Sequence, residues 1–258
     1  MRPNPVRQRL IGGEAVFGVM VMECISPGVP QIFAGAGADF IMYDQEAGCL
    51  DTAAIKMQAA LCRGLGVVPM VNVPWHDYHL LVRPLDSGMM GLMVPVVQTA
   101  GEAEAIARIT HYPPAGIRGV AFGIAHDDYE TADIAGAMKI ADDRNLIVVK
   151  IETARGAANA DAIAAVPGID VLFVGHMDLS VSLRVPGRYD HPKFVEAHAA
   201  VMAACRKHGK AAGCLAATPD LARAWMAKGV RFVMYATDVM LLANGFRAGL
   251  AAIRGGGG

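Results

Sequence analysis

Glu152 and Asp178 stand at or just beyond the ends of two neighbouring apolar runs, and Asp44 closes a third. The runs Leu146–Glu152 and Val171–Gly175 are short and β-branched, and Ala154–Val166 between them is helix-forming. They read as two parallel strands, buried on both faces and joined by a crossover helix. In parallel α/β architectures the chemistry collects beyond the carboxyl ends of the strands. Two acids placed there repel at neutral pH unless a cation lies between them. Oxygen donors of this kind suit Mg²⁺ or Mn²⁺, with water or substrate completing the octahedron. Each acid alone also has a structural explanation, Asp178 as a helix cap and Glu152 as a solvated strand end.

Other groups cluster around this pair. Lys150 precedes Glu152 by two residues, so on a strand both side chains share one face. A lysine buried there needs a partner, which Asp44 or Glu46 could supply. It is then either a structural ion pair or a source of positive charge for the site. A Schiff-base role is a third reading, because a desolvated lysine becomes nucleophilic. For a general base there are three histidines at strand ends: His176, two residues before Asp178; His126, beyond Arg118; and His76, after Trp75. Any of them could titrate near neutrality or simply hydrogen-bond a loop, and we place His176 first and His126 second. His111, His191, His198 and His208 fall on helices or at their ends and read as surface groups. Leu215, Met20 and Met22 would line an apolar pocket or pack in the core.

The elements that must carry these residues repeat along the chain. Ala15–Met22, Asp39–Asp44, Val67–Val73, Leu92–Val97, Leu146–Glu152, Val171–Gly175, Ala211–Ala216 and Arg231–Tyr235 read as strands. Helical stretches alternate with them: one opened by Ser26-Pro27, then Asp51–Arg63, one ending near Gly88, Gly101–His111, Thr131–Asp142, Ala154–Val166, His191–His208, Pro219–Lys228 and Asp238–Ile253. Val120–Gly123 reads as a short extra strand at most. Eight strands interleaved with helices over 258 residues, with no interior linker, predict an α/β fold, a single-domain (β/α)₈ TIM barrel. An open doubly wound sheet is the alternative, but no Gly-rich phosphate loop follows any strand, which argues against a nucleotide cofactor.

Composition excludes several classes of function. Hydrophobic residues make up 54% and charged residues 18%, enough for a large core, and the formal net charge of −1 offers no basic field for nucleic acid. Cys24, Cys49, Cys62, Cys205 and Cys214 are scattered without metal-finger spacing and read as small buried hydrophobes. Met1–Leu10 lacks the apolar segment of a secretory signal, and no run is long enough to span a membrane, so a reduced cytoplasmic setting is expected. The Gly255–Gly258 tail is expected to be disordered.

Four motifs carry a resemblance. Val94-Pro-Val-Val-Gln98, the run Tyr112-Pro-Pro-Ala-Gly-Ile-Arg-Gly119, Ile151-Glu152-Thr153 and Gly175-His-Met-Asp178-Leu-Ser180 resemble the HpcH/HpaI aldolase family, in order and over nearly the whole chain, from about Gly18 to Leu250. The resemblance implies a TIM barrel and a hexamer built as a trimer of dimers with an exchanged last helix. It also implies reversible aldol cleavage to a 2-oxo acid such as pyruvate and an aldehyde, with a divalent metal. On that basis Glu152 and Asp178 are the metal ligands, and Mg²⁺ or Mn²⁺ is expected, with Co²⁺ a further candidate. The keto and carboxylate oxygens of the 2-oxo acid would chelate the ion, and backbone N–H groups from Gly175 through Met177 to Asp178 would hold the carboxylate. A Lewis acid on the keto oxygen offsets the charge of the enolate formed when the C–C bond breaks. Asp44 and Glu46 match the acids of the family's Asp-x-Glu-His signature.

Two positions depart from the pattern. Ala47 stands where the family has its base histidine, and Asn72 where it has an arginine that contacts the substrate. General base catalysis is typically worth about 10²–10⁴-fold, so other groups must act or the chemistry differs. Lys150 could restore the lost positive charge, and His176 or His126 the lost base. The sequence thus points to a metal-dependent carbon–carbon lyase, a class II aldolase-like enzyme acting on a 2-oxo acid through a metal-bound pyruvate-type enolate. Related enolate chemistry (decarboxylation, hydrolysis or tandem addition) and a non-catalytic 2-oxo-acid binder are the alternatives. The apolar Val239-Met240-Leu241-Leu242 could pack on a neighbouring subunit.

Overall fold

The computed structural model describes residues 1–48, 50–130 and 133–255. Its parallel strands follow one another around a closed barrel in chain order. They are β1 (Val16–Val21), β2 (Phe40–Asp44), β3 (Val68–Asn72), β4 (Gly91–Val94), β5 (Leu146–Ile151), β6 (Val171–Val174), β7 (Ala211–Ala216) and β8 (Val230–Thr237). β8 closes the ring against β1, with Val16 opposite Phe232.

Side-chain alternation sorts the core into two layers. On β2, Phe40 and Met42 face the barrel interior while Ile41 and Tyr43 face the surrounding helices. On β5, Leu146 and Val148 face inward and Ile147, Val149 and Ile151 outward. The same period carries Asp44, Lys150 and Glu152 to the inner face at the carboxyl end of the strands. Thr153 then turns the chain directly after Glu152. Its hydroxyl accepts the Gly156 N–H at 3.0 Å and caps the helix Ala154–Ala158.

Several sequence expectations change in detail. Val120–Gly123 forms no strand. The crossover helix predicted over Ala154–Val166 divides at Asn159 into Ala154–Ala158 and Ala160–Ala164. His176–Ser182 is a helix absent from the strand–helix reading, so Asp178 belongs to its first turn. The helix expected over Thr131–Asp142 runs over Ile134–Arg144, and its expected start at Thr131 lies outside the described residues. The final helix reaches Gly255, and residues 256–258 of the glycine tail lie outside the described set. Cys62, Cys205 and Cys214 are buried, Cys24 is half-buried, and Cys49 also lies outside the described set.

An N-terminal helix, Pro5–Ile11, had no counterpart in the strand–helix reading. Its Val6 and Leu10 join the interior layer of the barrel, and Asn4 Nδ2 donates to the carbonyls of Met90 and Arg144, each at 2.9 Å. The amino end of the barrel is thereby stoppered. No helix among the described residues is long and apolar enough to cross a membrane.

Candidate active site

At the opposite end lies a cavity of about 250 Å³. Asp44, Glu46, Ala47, Asn72, Lys150, Glu152, Gly175, His176, Met177, Asp178 and Leu215 all border it, as do Met20 and Met22. The residues singled out for chemistry or binding, His126 and His76 excepted, thus meet in one place together with the Ala47 departure. Register explains part of this convergence. Asp44 of β2 lies opposite Asn72 of β3, and Lys150 of β5 opposite Phe173 of β6.

The polar groups form a chain. Asn72 Nδ2 donates to Asp44 Oδ1 at 2.6 Å and to Glu46 Oε2 at 2.8 Å. Lys150 Nζ donates to Glu46 Oε2 and lies 3.4 Å from Glu152 Oε2. The partner of the buried lysine is therefore Glu46, with Glu152 behind it. Because both amide hydrogens of Asn72 serve carboxylates, its orientation is fixed, and its buried Oδ1 is left without a hydrogen-bond partner.

Asp44 is committed to its own loop. It accepts the backbone N–H groups of Glu46 (3.2 Å), Ala47 (3.1 Å) and Gly48 (2.9 Å). A Cβ at Gly48 would lie 2.6 Å from the Asp44 carbonyl oxygen and 2.9 Å from that of Met22, so only glycine closes this turn. The loop in turn delivers Glu46 to Lys150.

Glu152 is buried, and desolvation raises its carboxyl above the usual range. Lys150 and the Val96 N–H, 2.7 Å from Oε1, oppose that shift, while the charges of Glu46 and Asp178 add to it. Val96 lies within the Val94–Gln98 motif but had no role assigned from the sequence. It holds a left-handed backbone at φ 54°, uncommon for a β-branched residue, and thereby aims its amide at the carboxylate. Nothing in a one-dimensional pattern signals that conformation. Met93, Phe173 and Met234 also border the cavity and were missed, although strand alternation places Phe173 two residues before Gly175 on the same face.

The histidines separate. His176 borders the cavity, with Tyr189 edge-on at 5.0 Å and Trp225 at 6.4 Å between ring centroids. Burial lowers its pKa, and the charge of Asp178 opposes that. His126 does not border the cavity. It is fully buried beneath the Tyr112–Gly119 loop, with Nε2 3.3 Å from the Tyr112 hydroxyl and its ring 5.2 Å from that of Phe122. Burial and the neighbouring Arg118 push it down to about 4, so the expectation of His126 as a base gives way to a packing role. His76 lies tilted against Trp75 at 4.5 Å between ring centroids, also outside the cavity. His198, expected at the surface, is buried against Trp225 at 4.4 Å. Arg118 clamps its loop, bonding Asp86 at 2.8 Å and covering the Tyr112 ring at 4.6 Å.

Among the described residues no group of three or more His, Cys, Asp or Glu side chains could cage a metal ion. A Mg²⁺-type ion does not require one, because it is commonly held by one or two carboxylates and keeps its remaining positions for water and substrate. Glu152 and Asp178 both border the cavity and offer that donor set, with the charge of Asp178 acting on Glu152. Gly175 leaves them room, since a Cβ there would stand 2.7 Å from Glu152 Oε2. The residues present fit a hard divalent cation.

The HpcH/HpaI aldolase/citrate lyase model matches residues 19–245. The chain belongs to the HpcH/HpaI aldolase/citrate lyase family. It is 34% identical over 253 residues to the hydroxypyruvate/pyruvate aldolase of Pseudomonas aeruginosa, covering 98% of this chain and 94% of that protein. To the 4-hydroxy-2-oxo-heptane-1,7-dioate aldolase of Escherichia coli it is 34% identical over 218 residues, 84% of this chain and 83% of the relative. The crystal structure of an HpcH/HpaI aldolase from Desulfitobacterium hafniense superposes with a TM-score of 0.91 at 28% identity, covering 96% of each chain. The named relatives are aldolases, and the HpcH/HpaI chain described here is accordingly a carbon–carbon lyase on a TIM barrel.

Proposed function

We propose that this HpcH/HpaI family member is a metal-dependent aldolase that cleaves or forms the C–C bond beside a 2-oxo acid through a pyruvate-type enolate, with a small aldehyde as the second reactant. The observation that carries the reading is the meeting of Glu152 and Asp178 on one cavity with the Lys150–Glu46–Asn72–Asp44 chain beside them. Glu152 and Asp178 would hold the divalent cation, Mg²⁺ or Mn²⁺, which when bound supplies the Lewis acidity that offsets enolate charge.

The chain's own residues do the rest. Lys150, held by Glu46 and Glu152, keeps a fixed positive charge at the cavity wall, where the family pattern has an arginine and this chain has Asn72. Its ion pairing favours that electrostatic role over Schiff-base chemistry, which needs a free amine. His176 borders the cavity and can take or return the proton at C3 of the 2-oxo acid. Asp44 fixes the loop that presents Glu46. The exposed apolar side chains of the last helix, Leu242 and Phe246, suit an exchange of that helix within a hexamer.

The test is exchange of the pyruvate C3 protons in D₂O with added Mn²⁺, followed by NMR. Exchange that needs the metal and is abolished by Glu152→Ala supports the proposal. Metal-dependent pyruvate binding without exchange replaces it with a non-catalytic binder.

A further inference from the structure

The second reactant can be narrowed, on the footing of the aldolase reading above. We propose that the aldehyde this site accepts is uncharged, and that an aldehyde carrying a carboxylate is rejected.

The charges on the wall carry the first half of the argument. Four carboxylates border the cavity, those of Asp44, Glu46, Glu152 and Asp178, and among the described residues the one cation facing them is Lys150. That ammonium already serves Glu46 and Glu152. The nearby backbone donors are engaged as well: Val96 N–H on Glu152, and the Ala47 and Gly48 N–H groups on Asp44. Asn72, where an arginine would bring a second positive charge, spends both amide hydrogens on Asp44 and Glu46. A 2-oxo acid brings one carboxylate, and a divalent cation can receive it. A second carboxylate, on the aldehyde, would find no free cation and several like charges.

The apolar wall carries the second half. Met20, Met93, Phe173, Leu215 and Met234 border the same cavity. Met93 stands opposite Asn72 and Phe173 opposite Lys150, level with the polar groups, while Met234 pairs with Leu215. Removing an aliphatic tail from water against this wall is favourable, whereas a charged tail loses its hydration without replacement. Methionine side chains adapt to tails of different shape.

In the addition direction, C3 of the enolate forms the new bond to the aldehyde carbon. The carbonyl π pair moves onto oxygen, which takes one proton, and cleavage reverses both movements. The tail takes no part in these steps, so its charge should register in kcat/KM for the aldehyde and not in pyruvate exchange.

Butanal and succinic semialdehyde are both four-carbon aldehydes and differ in the terminal carboxylate. With Mn²⁺ and saturating pyruvate, kcat/KM for butanal should exceed that for succinic semialdehyde by about 100-fold, the scale of like-charge juxtaposition. Equal rates, or preference for the semialdehyde, overturn the proposal and point to a cation supplied by a neighbouring subunit. Pyruvate exchange measured on the same sample separates the two levels. Intact exchange with semialdehyde preference removes only this inference, whereas absent exchange removes the aldolase reading and the inference with it. Leu215→Arg, which brings a positive charge to the apolar wall, should shift the ratio toward the semialdehyde by at least about 10-fold. The wild-type comparison stands even if that variant does not fold.

Discussion

Val96, at φ 54° on the loop after β4, holds its backbone N–H 2.7 Å from Glu152 Oε1. That bond and Lys150 are what keep a charged carboxylate tolerable at a buried position. Glu152→Gln retains a carbonyl acceptor for Val96 and removes the buried charge, so the protein should melt at or above the wild-type temperature. Its Mn²⁺ affinity by calorimetry should fall by at least about 10–100-fold, the loss usually seen when even an outer partner of a metal ligand is removed. A variant that melts far lower yet still binds Mn²⁺ would contradict this assignment.

Lys150→Met leaves Glu46 and Glu152 without their cation. Breaking a largely buried pair on one side costs about 3 kcal/mol. Glu152 already titrates above the ordinary glutamate range, so its folded form holds a proton more readily than the unfolded chain, and stability attached to it is recovered as pH falls. Denaturant unfolding of Lys150→Met should therefore show a larger deficit at pH 8 than at pH 5. An equal deficit at both values would mean the lysine contributes packing alone.

Acid should weaken the fold through two histidines that do not border the cavity. Burial lowers His126 and His198 from 6.5 to about 4. A group whose folded pKa is depressed contributes stability fully above the unfolded value and loses it as pH falls toward the folded one. The loss should run between pH 6.5 and 4, at most roughly 3 kcal/mol per residue. His198→Phe, which keeps a ring against Trp225, should flatten the slope of melting temperature against pH across that window. An unchanged slope would remove His198 from the account.

The last helix offers a test of assembly. Leu242, Phe246 and Ile253 are 63%, 72% and 78% exposed, an apolar surface that a lone subunit would leave in water. Sedimentation should show a homo-oligomer, and Phe246→Asp should shift it to smaller species. A monomeric wild type would refute the expectation.

The barrel was legible because its strands are short apolar runs, several of them ending in Gly, Pro or an acid. β5 and β6 announce themselves in this way, and their alternation places Lys150 and Glu152 on one face before any coordinates are known. The convergence of Asp44 and Asn72 follows from strand order once the barrel closes. Asp178 was found as a residue but not as part of a helix, since His176–Ser182 is only seven residues long and lacks a side-chain cap. The Val96 backbone could not be read, because a β-branched residue normally avoids that conformation and tertiary contacts override the preference. The N-terminal helix was passed over because its two inward residues, Val6 and Leu10, are too few for a periodic signal.

That same helix adds to a barrel interior already filled by Phe40, Met42, Met70 and Phe232, which leaves the cavity open at one end. With Pro5–Ile11 corking the floor and Asn4 stitched to the carbonyls of Met90 and Arg144, reactants and products share a single doorway at the rim. Exchange of reactants and products with solvent is thereby confined to the end where Glu152 and Asp178 stand.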